Sequence, residues 1–262
     1  MGNSSHKEFY KNIDRKQIYS ATDAPEQHKS FGDLKQFIEE FDLTEKFCLE
    51  IGASKGVFQN IVKNYSALDI STSLAKYYQK SFFTVNDDGS YPFDENIFDA
   101  IWTIDVHEHI PDINQALFEL KRVLKPGGVV YFAPAWQCRP WASEGYAVRQ
   151  FSDFAIKGKL IKASIPLRDS VLWRSFFIFI KRIFYHLSFL FGKKYYKLIY
   201  KKLNANYDIF WTSDSDACNS IDPHDAILWF ESNDFKCLSH PLHLKAFFVR
   251  AGALIFQKNA ET

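Results

Sequence analysis

Between Lys46 and Pro134 five short apolar runs alternate with stretches of helical periodicity, and this alternation constrains the fold more than any other feature. The runs are KFCLEI, YSALDIS, FFTV, FDAIWTI and VVYFAP. Strands separated in this way predict a mostly parallel sheet with right-handed crossovers. Helices are predicted over about Gln27–Phe41, where Phe31, Leu34, Phe37, Ile38 and Phe41 keep helical spacing, and in VFQNIVKN after the first run. Two more are predicted in TSLAKYYQK, capped by Ser71, and in NQALFELKRVLKPGG, stopped by Pro126 and two glycines. From about Ala135 the alternation gives way to aromatic and basic sequence. It resumes with a helix in PHDAILWFESNDF and two strands in KCLSHPLHL and AFFVRAGALIFQ. The expected division is a polar tail at 1–26, the sheet-forming half at 27–134, an insertion at 135–206, and a closing helix and strand pair at 207–262.

A chain of 262 residues can bury one such core. Its formal net charge of +1 advertises no bulk affinity for nucleic acid. Cys48, Cys138, Cys218 and Cys237 have no CxxC spacing, which argues against a zinc or disulfide framework and suits a reducing compartment. The opening MGNSSHKEFYKNIDRK has no apolar h-region, so no secretory signal is expected, and His6 stands where a myristoylation pattern has Ser or Thr.

In an open parallel sheet, ligands bind beyond the carboxyl ends of the strands where strand order reverses. The first strand-to-helix turn, EIGASKG, lacks the spacing of a pyrophosphate fingerprint. Glu50 two residues before Gly52 would repel phosphates and suit a cationic ligand bearing an ammonium or sulfonium. Asp69 ends the second run, where a carboxylate can accept from ribose hydroxyls, although it also reads as a cap beside Ser71. Asp87 and Asp88 follow the third run, where one can accept from an adenine amino group or both can belong to a solvated turn.

Taken together, LEIGASKGVF, ALDIS, NDDGSYPFDENIFDAIWTIDVHEHIPD and ELKRVLKPGGVVYFAP resemble the class I S-adenosylmethionine-dependent methyltransferases of the small-molecule branch, the type 11/23-like families. The resemblance spans about residues 45–135. It implies an α/β, Rossmann-like, seven-stranded sheet with an antiparallel last strand, helices on both faces and a helical insertion after strand five. It also implies S-adenosyl-L-methionine as cofactor. Glu50, Gly52 and Gly56 match the first motif, while Ser54 replaces its middle glycine. By the same resemblance Asp69 takes the ribose hydroxyls and Asp87 the adenine amino group. Ala53, Ile70, Asp88, Ile104 and Asp105 complete the implied cofactor contacts.

Methyl transfer from a sulfonium is an in-line displacement that needs positioning and, for some acceptors, a base. IDVHEHIPD, after the fourth run, offers Asp105, His107, Glu108 and His109. His107 and His109 are the expected catalytic residues, because a histidine titrates near neutrality. No metal is expected, since HEH is not an HExxH pair and adjacent side chains diverge on a helix.

The insertion contains VLWRSFFIFIKRIFYHLSFLFGKKYYKLIYKKL. Trp173, Phe176, Phe177, Ile180, Phe184, Leu187 and Phe191 share one helical face, and Arg174, Lys181, Tyr185 and Ser188 mark a narrower polar one. Arg174, Lys181 and Arg182 interrupt it too evenly for a transmembrane span. Three readings stay open for 171–202: a peripheral membrane contact favouring anionic lipid, a lid over the acceptor, or a subunit interface. The expected partner is a small-molecule, glycan or lipid-linked acceptor methylated on O or N, with no nucleic acid, in the cytoplasm and, in the first reading, at the inner face of a membrane. A catalytically degenerate scaffold of the same fold is the alternative.

Overall fold

The computed structural model describes residues 3–11, 24–241 and 243–260. Its helices are α1 (Asn3–Lys11), α2 (Phe31–Glu40), α3 (Ile113–Val123), α4 (Ile156–Asp169), α5 (Val171–Leu190), α6 (Pro223–Ser232) and α7 (His243–Phe248). Its strands are β1 (Phe47–Ile51), β2 (Asn64–Asp69), β3 (Ser81–Thr84), β4 (Phe98–Ile104), β5 (Leu124–Ala133), β6 (Tyr200–Lys202), β7 (Asn219–Ile221), β8 (Phe235–Cys237) and β9 (Leu254–Lys258).

Seven strands form one sheet in the order β3-β2-β1-β4-β5-β9-β8. The pairs among β1 to β5 are parallel, while β9 runs antiparallel to both β5 and β8. The Rossmann-like fold with an antiparallel closing strand is therefore present. Strand order reverses between β1 and β4, so the crevice beyond their carboxyl ends is where this topology places a ligand.

Successive side chains of β1 serve opposite faces, as a period of two requires. Leu49 and Ile51 join the core under α3 and α6, whereas Cys48 joins the one under α2 with Leu34, Phe37 and Ile38. Helix α3 starts on Asp112, whose carboxylate accepts from the Gln115 N–H at 3.1 Å, and buries Ile113, Ala116, Leu117, Leu120 and Val123. Helix α6 opens with Asp222 as cap and Pro223 at its first position. It is buried nearly all round, with Phe230 stacked on Phe256. The four cysteines are separate and buried.

Five expectations about local structure change. The start of AFFVRAGALIFQ, expected as strand, belongs to α7, and only Leu254–Lys258 is strand. The segment VFQNIVKN forms turns rather than a helix, and TSLAKYYQK forms a 3-10 helix at Thr72–Tyr77. The link from β1 to β2 is too short to hold both a ligand loop and a full helix. Its Val57, Ile61 and Val62 are also poor helix formers. In the expected polar tail, residues 3–11 form α1, with His6 and Phe9 buried, while residues 1, 2 and 12–23 lie outside the described residues. The insertion has a small sheet of its own, because β7 pairs antiparallel with β6. It thus runs on to about residue 222 instead of ending at 206.

Helix α5 is reversed relative to an ordinary surface helix. Its polar residues face the protein: Arg182 bonds Asp222 at 2.8 and 3.0 Å, Lys181 pairs with Asp225 at 2.5 Å, and His186 meets His224 at 3.0 Å. Its apolar residues face out, with Leu172 85 % exposed, Phe176 63 % and Phe184 62 %. Among the described residues no helix is long and apolar enough to cross a membrane.

Candidate active site

The loop after β1 and the turn after β4 meet at the strand-order reversal. Gly52 has φ +72°, and a Cβ placed there would stand 2.2 Å from a methyl carbon of Val106, so only glycine lets these two segments approach. Gly56, at φ +74°, lies close against the Tyr78 ring, where a Cβ would stand 2.7 Å from a ring carbon. Ser54 adopts φ +46°, the left-handed conformation that the glycine it replaces would adopt at lower cost. The loop is clamped from beneath: the Tyr78 hydroxyl donates to the carbonyls of Ala53 (2.7 Å) and Ser54 (2.9 Å).

Asp69 is the organising acid of this loop. Its two carboxylate oxygens accept from the N–H groups of Ser54 and Ser71, both at 3.0 Å. The Ile70 N–H also acts on it, and a carboxylate's roughly four acceptor positions still leave room for a hydroxyl. Burial raises its pKa, with these N–H groups opposing. Glu50 belongs to β1 itself and accepts from the Tyr65 hydroxyl of the neighbouring strand at 2.5 Å. Burial pushes it up to about 7 despite that bond. It therefore lies beneath the loop and not at its rim. Ala53 is buried with Phe58 and Trp102, and Ile104 packs at the edge of that cluster.

The acids further along differ in setting. The Asp87 side chain is fully exposed and is met by Lys7 of α1, which donates to its carbonyl at 2.7 Å and sits 3.3 Å from its carboxylate. Asp88 closes its own turn, accepting from the Ser90 N–H and hydroxyl, and those bonds lower its pKa. Asp105, at φ +53°, pairs with Lys29 at 2.7 Å.

The two histidines separate. His107 is wholly buried against Phe132, with Nδ1 3.1 Å from the Thr103 hydroxyl, and burial drives its pKa down to about 3. Burial leaves His107 weakly basic, packed between Thr103 and Phe132. His109 lies between two carboxylates, with Nε2 3.5 Å from Glu108 and Nδ1 3.5 Å from Asp216. Burial pulls its pKa down, but Glu108 and Asp216 outweigh burial and the net shift is upward. Glu108 is fully buried, and neither of its carboxylate oxygens has a hydrogen-bond partner among the described residues. Burial pushes it up to about 7, with His109 pulling back.

This cluster is closed by α1. His6 Nε2 lies 2.8 Å from the His109 carbonyl, and the Tyr10 hydroxyl donates to Asp216 at 2.7 Å. Glu108 was visible in the sequence only as a neighbour of histidines. His6, Tyr10 and Asp216 gave no signal there, since they reach the cluster from far along the chain. Farther off, Asp222, His224 and Asp225 bring potential ligand atoms within 4.8 Å of one another. Arg182 and Lys181 already neutralise both carboxylates, so this is an ion-pair network that anchors α5.

Residues 49–132 match the family model described as a methyltransferase domain. The ubiquinone/menaquinone biosynthesis C-methyltransferase UbiE of Hahella chejuensis is 32 % identical over 127 residues, covering 46 % of this chain and 49 % of that protein. The chain thus spans about half the length of this curated relative. Among solved structures, the YcgJ protein of Bacillus subtilis has a TM-score of 0.36 at 22 % identity, covering 40 % of this chain and 51 % of its own. A SAM-dependent methyltransferase from Aquifex aeolicus has a TM-score of 0.35 at 19 % identity, covering 41 % and 66 %. The partly free Asp69 carboxylate, at the strand-order reversal, fits a nucleoside-bearing cofactor. With the sheet order found here and the match over residues 49–132, that segment is a class I S-adenosylmethionine-dependent methyltransferase domain, and its cofactor is S-adenosyl-L-methionine.

Proposed function

We propose that the protein transfers a methyl group to an oxygen or nitrogen of a lipid-linked or glycan-like small molecule, working at the surface of an anionic membrane. S-adenosylmethionine, when bound, supplies a methyl group already activated on a sulfonium. The chain's own residues then have three tasks. Gly52, Ala53, Ser54 and Gly56 form the loop that borders the cofactor, Asp69 offers its remaining acceptor capacity to the ribose hydroxyls, and Glu50 supplies negative potential from below. Ile70, Ile104 and Asp105 border the crevice, and Asp87 with Asp88 stands at its far end for the adenine.

The observation that carries the catalytic part is the buried Glu108 carboxylate beside His109. A base works best with a pKa near the operating pH, and burial sets Glu108 at about 7. His109, held toward its charged form with one ring nitrogen facing each of two carboxylates, holds Glu108 in place. Helix α1 would have to lift for an acceptor to enter, since His6 and Tyr10 close the cluster.

The membrane part rests on the reversed α5 and on charge. Residues 156–202 hold twelve lysines and arginines against one aspartate, in a chain of net charge +1. Lys157, Lys159, Lys193, Lys194 and Lys197 are exposed. Such a segment suits an interface of apolar chains and anionic head groups.

The test is label transfer from methyl-labelled cofactor into lipid and polysaccharide extracts by the wild type and Glu108→Gln. Transfer should fall about 10²–10⁴-fold in the variant with cofactor affinity unchanged. Equal transfer removes Glu108 from the chemistry. Label on carbon, the chemistry in the name of the Hahella relative, would redirect the acceptor, and failure of the wild type to bind cofactor would favour the scaffold.

A further inference from the structure

A groove of about 560 Å³ opens between α5 and α7, remote in sequence from every residue assigned above to the cofactor. Arg174, Arg182 and Arg250 line it, together with Phe176, Phe179 and Phe248, and no carboxylate does. The three arginines are not equivalent. Arg182 is buried and balanced, with Asp222 on its guanidinium and the Phe247 carbonyl at 2.7 Å. Arg174 and Arg250 have no ion-pair partner among the described residues. Arg174 donates to the Gln137 side-chain carbonyl at 2.6 Å, and Arg250 to the Ser175 hydroxyl at 2.9 Å. The neighbouring carboxylate, Asp169, is taken by Arg139 at 2.9 Å. Burial and then the positive charges of Arg139 and Arg250 hold the Arg174 guanidinium below its usual range, against the pull of Asp169.

Two guanidinia answered only by neutral oxygens, one turn of helix from a run of phenylalanines, form a site with two chemistries. Guanidinium forks match phosphate oxygens in geometry and charge. Phe176, Phe179 and Phe248 are each 45 % or more exposed and carry the groove out onto the apolar face of α5. A soluble phosphate would leave that apolar wall wet, whereas a phospholipid fills both halves. We propose that this groove binds one anionic phospholipid, its phosphate between Arg174 and Arg250 and its first acyl carbons along Phe176, Phe179 and Phe248. The inference rests on the reading that α5 lies at a membrane surface, and it adds a discrete headgroup site to what would otherwise be diffuse attraction.

The probe is dihexanoyl phosphatidic acid kept below its micelle-forming concentration, so that no membrane is present, titrated calorimetrically into the full chain. Dihexanoyl phosphatidylcholine and inorganic phosphate are the controls. Saturable one-to-one binding is expected for phosphatidic acid, at least tenfold tighter than either control. Arg174→Gln with Arg250→Gln should weaken it at least tenfold while melting temperature and cofactor affinity stay at wild-type values. Arg174→Lys with Arg250→Lys should recover part of the loss, which a merely misfolded variant could not do. Absence of saturable binding, undiminished binding in the Gln variant, or equal binding of inorganic phosphate overturns the site. Flotation of the wild type with anionic vesicles is scored separately. Vesicle binding without short-lipid binding removes the groove and leaves the membrane reading, and the converse removes the membrane reading.

Discussion

Helices α3 and α5 are both amphipathic, yet they face opposite ways. Helix α3 turns Leu117, Leu120 and Val123 to the sheet, while α5 turns Lys181, Arg182 and His186 inward and Phe176, Phe184 and Leu187 outward. The difference lies in what each helix meets. Helix α3 lies on an apolar sheet face. Helix α5 lies on the start of α6, where Asp222 and Asp225 are buried and need cations, because an unpaired buried charge costs several kcal/mol. Periodicity in a sequence thus reports that a face exists, and the contacting surface decides where it points. An apolar face as large as that of α5 marks an interaction surface.

The largest expected effect tests that contrast directly. Replacing Phe176, Phe177 and Phe184 with serine removes three rings that would each contribute up to about 1.5–3 kcal/mol on burial in an interface. Binding to anionic vesicles should fall at least 100-fold, with cofactor affinity intact. Salt should weaken wild-type binding through the exposed lysines such as Lys193 and Lys194, not through Lys181 and Arg182, which are spent on α6. A wild type that ignores vesicles but sediments as a dimer, with the triple variant monomeric, would instead make this face a subunit interface.

The same contrast separates what could be read from the sequence. The parallel strands β1 to β5 were legible because strand periodicity and turn glycines are local signals, whereas the order of the strands in the sheet was not. Helices after β1 and β2 were over-read: the link after β1 is short and holds the β-branched Val57, Ile61 and Val62, and the one after β2 winds only as a 3-10 helix. His107 shows the limit most clearly. Its chemistry is visible in one letter, but its burial depends on Phe132, a strand away, and that contact takes its basicity. The membership of the Glu108 cluster was also hidden: His6 reaches His109 across 103 residues, and no period records such a meeting.

A smaller effect is expected at the other pole of the comparison, the cofactor loop. Asp69→Ala removes the acceptor for the Ser54 and Ser71 N–H groups as well as the positions left for ribose. Hydrogen bonds to a charged group are each worth roughly 1.5–3 kcal/mol net, so affinity for S-adenosylhomocysteine should fall tenfold or more by calorimetry. Asp69→Asn, which keeps one acceptor, should fall less. Undiminished binding in both would remove Asp69 as the ribose anchor, and it would leave vesicle binding by α5 untouched.

The smallest effect concerns Glu50, where stability and function should pull apart. Its pKa is raised to about 7 in the folded chain from an ordinary 4.5. Below pH 4.5 the group is protonated in both folded and unfolded states and contributes no pH dependence. As pH climbs from 4.5 to 7 the unfolded chain loses the proton first, so stability drains away, by up to about 3 kcal/mol from this residue at about 1.4 kcal/mol per pKa unit. Glu50→Gln removes the buried charge and keeps an oxygen to accept from Tyr65. Melting curves should therefore coincide with wild type at pH 4.5 and diverge toward pH 8, the variant being the more stable. Cofactor affinity should move the other way and fall, because the negative potential beneath the loop has gone. A residue retained at a cost in stability is one kept for binding. If the variant is instead less stable at pH 8 and binds the cofactor as before, Glu50 serves only to position Tyr65 within the sheet.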